Sequence, residues 1–248
     1  LPRRKRRKSS VATTINTILF FTIVTAGFIC YLIYEGYIWT TYPFFTRYPI
    51  RGIDISHHQG KIQWQKIAGQ KIDFAYIKAT EGISFVDPAF TYNWNASSRH
   101  GIIRGAYHFF SFTSPGSEQG KFIIQKVPNK PGCLPLVIDV EFNAVMKIPP
   151  QKKIIAELKA LIKIIQKEYG YTPVIYTTYE VFNYCLINCD IAFPIWIKDI
   201  STKPSLQKGK EWLFWQYSHT GKLNGINGHV DLNVFNGNRT QFESILTK

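Results

Sequence analysis

The sequence predicts an α/β fold, an irregular (β/α)8-type barrel with helices missing in its second half, preceded by one transmembrane helix. Three observations carry this prediction. Eight short runs rich in β-branched and aromatic residues recur between residues 50 and 235. The segments between the early runs have room for helices, whereas the last two connections are short and rich in Gly, Asn, Lys and Ser. Ahead of the runs, Val11 to Tyr34 is mostly apolar and carries no charge.

Residues 1–10 read as a basic stub, in which Arg3, Arg4, Lys5, Arg6, Arg7 and Lys8 supply six of the net +14 charge. The +8 left for the rest of the chain is modest, so no nucleic-acid partner is predicted. Residues 11–34 follow as a span. At about 1.5 Å per residue a helix of that length reaches about 36 Å, against a hydrocarbon core of about 30 Å. A cleaved signal peptide is the rival, but the apolar run exceeds a usual h-region and no A-x-A site follows it. The basic residues before the span and the single Glu35 after it put the N-terminus in the cytoplasm. This orientation leaves the rest of the chain on the periplasmic or extracellular side of the plasma (inner) membrane. Residues 35–48 form an aromatic linker, with Tyr31, Tyr34, Tyr37, Trp39 and Tyr42 as an interfacial belt.

Residues 49–248 hold the barrel. Its runs are Ile50 to Ser56, Phe74 to Thr80, Ile103 to Phe110, Leu136 to Phe142, Val174 to Thr178, Pro194 to Ile200, Leu213 to Ser218 and Val230 to Phe235. The clearest helix lies between the fourth and fifth runs. There Ile154, Ile155, Leu158, Leu161, Ile162 and Ile165 share a face opposite Lys153, Lys159, Lys163 and Lys167, and Gly170 is the stop signal.

The fourth run is the most informative. In LPLVIDVEF, Asp139 and Glu141 interrupt an apolar strand two residues apart, so both side chains project into one space. Paired buried carboxylates repel and lose solvation, which separates their pKa values and suits acid/base work. The alternative is a structural pair held by Arg or Lys. Two other acids break that tie: Asp54 near the end of the first run, and Asp231 in the last run, adjacent to the first once the barrel closes. Tyr107, Phe109, Tyr176, Trp196, Trp215 and Tyr217 are candidate sugar platforms, with barrel packing as their alternative.

Other chemistries find little support. His57 and His58 are neighbours that face opposite ways on an extended strand, and no HExxH or CxxC accompanies them. No metal and no cofactor is predicted. His108 reads as a core histidine or a partner of a mouth carboxylate, and Asp87, before Pro88, as a turn residue. Among Cys133, Cys185 and Cys189 at most one disulfide can form, and a reduced trio is equally allowed.

Several motifs together resemble glycoside hydrolase family 25, the lysozyme-type muramidases. They are Asp54-Ile-Ser56 with Gln59-Gly60, Phe74 to Gly82 (FAYIKATEG), Gly105 to Phe109 (GAYHF), Asp139-Val-Glu141, Trp215-Gln216-Tyr217 and Asp231-Leu-Asn233. The resemblance spans residues 51–248 and implies a barrel with missing helices and hydrolysis between N-acetylmuramic acid and N-acetylglucosamine of peptidoglycan. It implies Glu141 as general acid, an ionised Asp139 that steadies the substrate N-acetyl group, Asp54 and Asp231 as flanking acids, and Gln216 as a substrate contact. One departure stands out, Lys198, where the family usually has a small residue. A family 18 chitinase would need an acid at Val137. The rival of another class is a membrane-tethered, non-catalytic glycan-binding module, against which the presence of all four acids argues.

Overall fold

The computed structural model describes residues 7–35, 37–38, 43, 46–143 and 147–248. Residues 3–6 of the basic stub, with Trp39 and Tyr42 of the expected belt, lie outside them. The chain divides into two units, Leu1–Trp39 and Thr40–Lys248.

Among its described residues the first unit holds one helix, α1 (Arg7–Tyr34). Its apolar side chains, among them Ile15, Phe20 and Phe28, are exposed around the whole circumference, so it has no polar face to turn to water. The hydroxyls of Thr17 and Thr22 donate back to the carbonyls of Thr13 and Ile18, which satisfies them within the helix.

In the second unit the elements run β1 (Arg51–Ile55), α2 (Trp64–Ala68), β2 (Phe74–Glu81), β3 (Phe85–Val86), α3 (Phe90–Arg99), β4 (Ile103–Phe109), α4 (Gly116–Lys126), β5 (Val137–Val140), α5 (Gln151–Tyr169), β6 (Val174–Thr177), α6 (Tyr179–Tyr184), β7 (Ile195–Lys198), β8 (Phe214–Gly221), β9 (Val230–Phe235) and α7 (Arg239–Ser244). All eight sequence runs are strands. They pair in the order β1-β9-β8-β7-β6-β5-β4-β2, and β1–β2 pairing closes the barrel. The small β3 hangs off β2 as a hairpin. As expected, helices thin out late: a single 3-10 turn lies between β7 and β8, and no helix lies between β8 and β9.

The barrel is mixed rather than wholly parallel, because β9 runs antiparallel to both β1 and β8. The cause is chain length. Strand β8 continues to Gly221, so only residues 222–229 remain to reach β9, too few for a parallel crossover.

Helix α5 buries Ile154, Leu158, Leu161, Ile162 and Ile165, and Gly170 ends it in the left-handed region at φ 79°. Inside the barrel, large residues face small ones. A methyl at Gly52 would lie 2.3 Å from the Phe74 ring, and one at Gly105 would lie 2.3 Å from the Tyr76 ring. These two glycines give the rings room to meet Trp196, Phe214 and Phe235 in the lower core.

Candidate active site

The parallel strands β1, β2 and β4–β8 end on one rim, and the antiparallel β9 begins there. A cavity of about 300 Å³ opens at this rim, and Asp54, Asp139, Glu141 and Asp231 all line it. Asp231 therefore reaches the mouth from the start of its strand rather than the end, as the register partner of Asp54.

Asp54 is held by two amides whose orientation is fixed from below. The indole N–H of Trp196 donates to Asn233 Oδ1 at 3.0 Å, which turns Asn233 Nδ2 toward Asp54 Oδ2 at 2.7 Å. The Tyr176 hydroxyl likewise donates to Gln216 Oε1 at 2.9 Å, leaving Gln216 Nε2 to donate to the same Asp54 oxygen at 3.1 Å. Burial raises the Asp54 pKa, and these bonds oppose the rise. Burial and the facing Asp54 charge push Asp231 up to about 9, so at neutral pH it is protonated and hydrogen-bonded to Asp54.

Asp139 lies deeper. It is buried, its Oδ1 has no hydrogen-bond partner among the described residues, and burial followed by the Glu141 charge pushes it well above the usual carboxylate range. Glu141 sits one residue past the end of β5 and is half-buried. Burial raises it too, with Lys198 the main opposing charge. In the empty site both members of the pair are thus pushed toward the neutral form, Asp139 the further, whereas the sequence reading has Asp139 ionised. The reason is depth: Asp139 is inside the strand and Glu141 is at its mouth.

Of the expected sugar contacts, Tyr107, Tyr176, Trp196 and Gln216 line the cavity. Trp196 is nevertheless only 2 % exposed and forms floor more than platform. Trp215 and Tyr217 are corrections, since neither lines the cavity. Neighbouring Gln216 faces the cavity, so alternation turns Trp215 away, where it packs on Tyr48, Trp212 and Tyr217 and donates to the Asp199 carbonyl at 2.7 Å.

Two of the histidines also depart from expectation. His57 and His58 occupy a 3-10 turn, and their rings lie against each other with centroids 4.0 Å apart and planes tilted by 39° instead of facing opposite ways. Asp87 makes the expected turn through the amide of Ala89, and its other oxygen takes the His57 amide at 3.0 Å and Nδ1 at 2.7 Å. His108 is the core histidine of the two alternatives, bonded to no carboxylate among the described residues. It bonds Thr80 at 2.8 Å and Gln119 at 3.0 Å, and burial lowers its pKa to about 4. Cys133, Cys185 and Cys189 are free thiols.

Phe109, an expected sugar platform, lines the cavity too, as do Ser56, His58, Gln59 and Lys78, and Asn233 supports it; these last five belong to the motifs or to the histidine pair of the sequence but were given no role at the site. For Asn233 a signal existed, since a residue two from Asp231 shares its face of the strand.

The sequence profile of glycosyl hydrolases family 25 matches residues 53–226. Lysozyme M1 of Streptomyces globisporus is 34% identical over 206 residues, covering 76% of this chain and 68% of its own. An uncharacterized protein of Escherichia coli K12, YegX, is 36% identical over 204 residues, 80% of this chain and 74% of its own. A family 25 glycosyl hydrolase from Bacillus anthracis superposes with a TM-score of 0.79 at 40% identity, covering 84% of this chain and 97% of that one.

Proposed function

Because the chain belongs to glycosyl hydrolases family 25 and is a glycoside hydrolase of the lysozyme type, we propose that its mouth carboxylates cleave the bond between N-acetylmuramic acid and N-acetylglucosamine in peptidoglycan. The observation that carries this reading is the buried Asp139, with an unpartnered oxygen, beside a half-buried Glu141 in one cavity.

In this reading Glu141 is the general acid, placed at the rim where a glycosidic oxygen arrives, and the bond breaks through an oxocarbenium-like state. Asp139 holds the proton while the site is empty. When substrate enters, an N-acetyl N–H donated to the free Asp139 Oδ1 favours the carboxylate there, and the proton passes to Glu141. The ionised Asp139 then steadies the N-acetyl group as internal nucleophile, one of the recognised exceptions to the two-carboxylate scheme. Asp54, fixed by Asn233 and Gln216, and protonated Asp231 form the flanking wall. Tyr107, Tyr176, Trp196 and Gln216 contact the sugar.

We further propose that residues 11–34 span the membrane, with residues 1–10 in the cytoplasm, 35–48 as linker and 49–248 as catalytic barrel outside. The circumferentially apolar α1 supports this. Protease added to spheroplasts should then digest the barrel and leave a small anchored stub; protection until lysis would reverse the orientation.

The test of the activity is to incubate the full chain, in non-ionic detergent, with purified peptidoglycan and to identify new reducing ends by mass spectrometry. Muramic acid ends are expected. Glucosamine ends would overturn the bond assignment, and no new ends would overturn the activity on peptidoglycan.

A further inference from the structure

Two cations line the catalytic cavity, and they differ in what they are bound to. Lys78 is committed: its ammonium lies 2.7 Å from Glu81 and over the rings of Phe85 and Phe109, at 5.4 and 5.1 Å. Lys198 ends β7 on the same face as Trp196, half-buried, and its ammonium has no hydrogen bond or ion pair among the described residues. The adjacent carboxylate cannot serve it. Asp199 already accepts from the Tyr179 hydroxyl at 3.1 Å, the Ser201 amide at 3.0 Å and the Thr202 amide at 2.8 Å.

A half-buried ammonium with no hydrogen bond or ion pair among the described residues, in the wall of a substrate cavity, suits an anion that the substrate brings. N-acetylmuramic acid brings one, the carboxylate of its 3-O-lactyl group. Where a peptide stem is attached, that carboxylate is an amide and offers only a neutral oxygen. Resting on the muramidase reading, we propose that Lys198 is a specificity-determining residue that binds the free lactyl carboxylate, so that strands stripped of their stems are favoured over strands that carry them.

Lys198 also faces the catalytic acids, and its charge opposes the rise in all four of their pKa values. A substitution there changes the acids for every substrate alike. The ratio between two substrates on the same variant cancels that effect and isolates carboxylate binding.

The experiment uses the full chain in non-ionic detergent and two substrates: stem-free glycan strands, and the same strands with their lactyl carboxylates converted to carboxamides. Wild type should favour the acid strand by roughly tenfold in kcat/KM, through KM. Lys198→Met should cut both strands with equal efficiency, and Lys198→Arg should keep most of the preference. No preference in wild type, or a preference that survives in Lys198→Met, would overturn the proposal. Should wild type cut neither strand, the digest of whole peptidoglycan decides the muramidase reading by itself, and calorimetry decides the subsite. Tighter binding of the acid strand by wild type but not by Lys198→Met would sustain it, and equal binding would overturn it.

Discussion

Low in the barrel, Phe74, Tyr76, Trp196, Phe214 and Phe235 fill the interior with ring centroids 4.9–6.1 Å apart. One inward-facing position nearer the mouth, the same strands carry other chemistry: Lys78 follows Tyr76, Lys198 follows Trp196, Gln216 follows Phe214 and Asp139 follows Val137. Burial acts with opposite sign on the two layers. Below, removing apolar rings from water stabilises the fold; above, the same enclosure makes ionised carboxylates costly and drives protons onto Asp139 and Asp231. The lower layer holds a rigid floor, and the upper layer uses that floor to keep reactive groups in a setting they would not choose in water.

The comparison is broken most sharply from above. Glu141→Gln keeps shape and removes the proposed proton donor, so turnover of peptidoglycan should fall about 10²- to 10⁴-fold with the melting temperature near wild type. A variant that stays active would put the donor elsewhere. The mirror-image change is Phe74→Ala, which empties space among Tyr76, Phe214 and Phe242 and should cost about 3–5 kcal/mol in urea unfolding. A loss under about 1 kcal/mol would mean that the lower layer is not the close-packed floor described.

A smaller effect tests the cost of the upper layer directly. Between pH about 4 and about 9 the folded protein keeps a proton on Asp231 that the unfolded chain has released. Its contribution to stability is therefore full below the unfolded pKa and falls as pH rises through this window. Asp231→Asn retains a hydrogen-bond donor to Asp54 and cannot ionise. It should flatten the alkaline decline and melt higher at pH 8, by about 2–4 °C for each kcal/mol gained. Equal or lower melting than wild type at pH 8 would show that burying Asp231 carries no such cost.

Much of this arrangement is legible in the chain itself. The strands announce themselves because β-branched and aromatic runs are short and bounded, and α5 because its apolar residues keep a 3.6-residue period up to Gly170. Asp139 and Glu141 stand out because acids in an apolar strand are rare without a purpose. Long-range facts were not legible. The reversed direction of β9 depends on where β8 ends, which propensity does not fix, and Trp215 faces outward because of a register that Gln216 sets. The depth of Asp139, and hence its hold on the proton, is a property of the closed barrel. The contact of the His57 and His58 rings likewise follows from a 3-10 turn closed by Ser56 and Gln59 and from the long-range bond to Asp87.

The division of labour between the two central acids is tested most directly by the pH profile of kcat/KM on soluble muropeptide, from pH 3 to 9, for wild type and Asp139→Asn. In wild type the pair loses its last proton against the charge already on its partner and inside a buried site, so the alkaline limb lies high and belongs to the pair as a whole. In Asp139→Asn the remaining Glu141 ionises beside a neutral amide. The account predicts a slower enzyme whose alkaline limb moves to lower pH; a limb that stays in place or moves upward would contradict it.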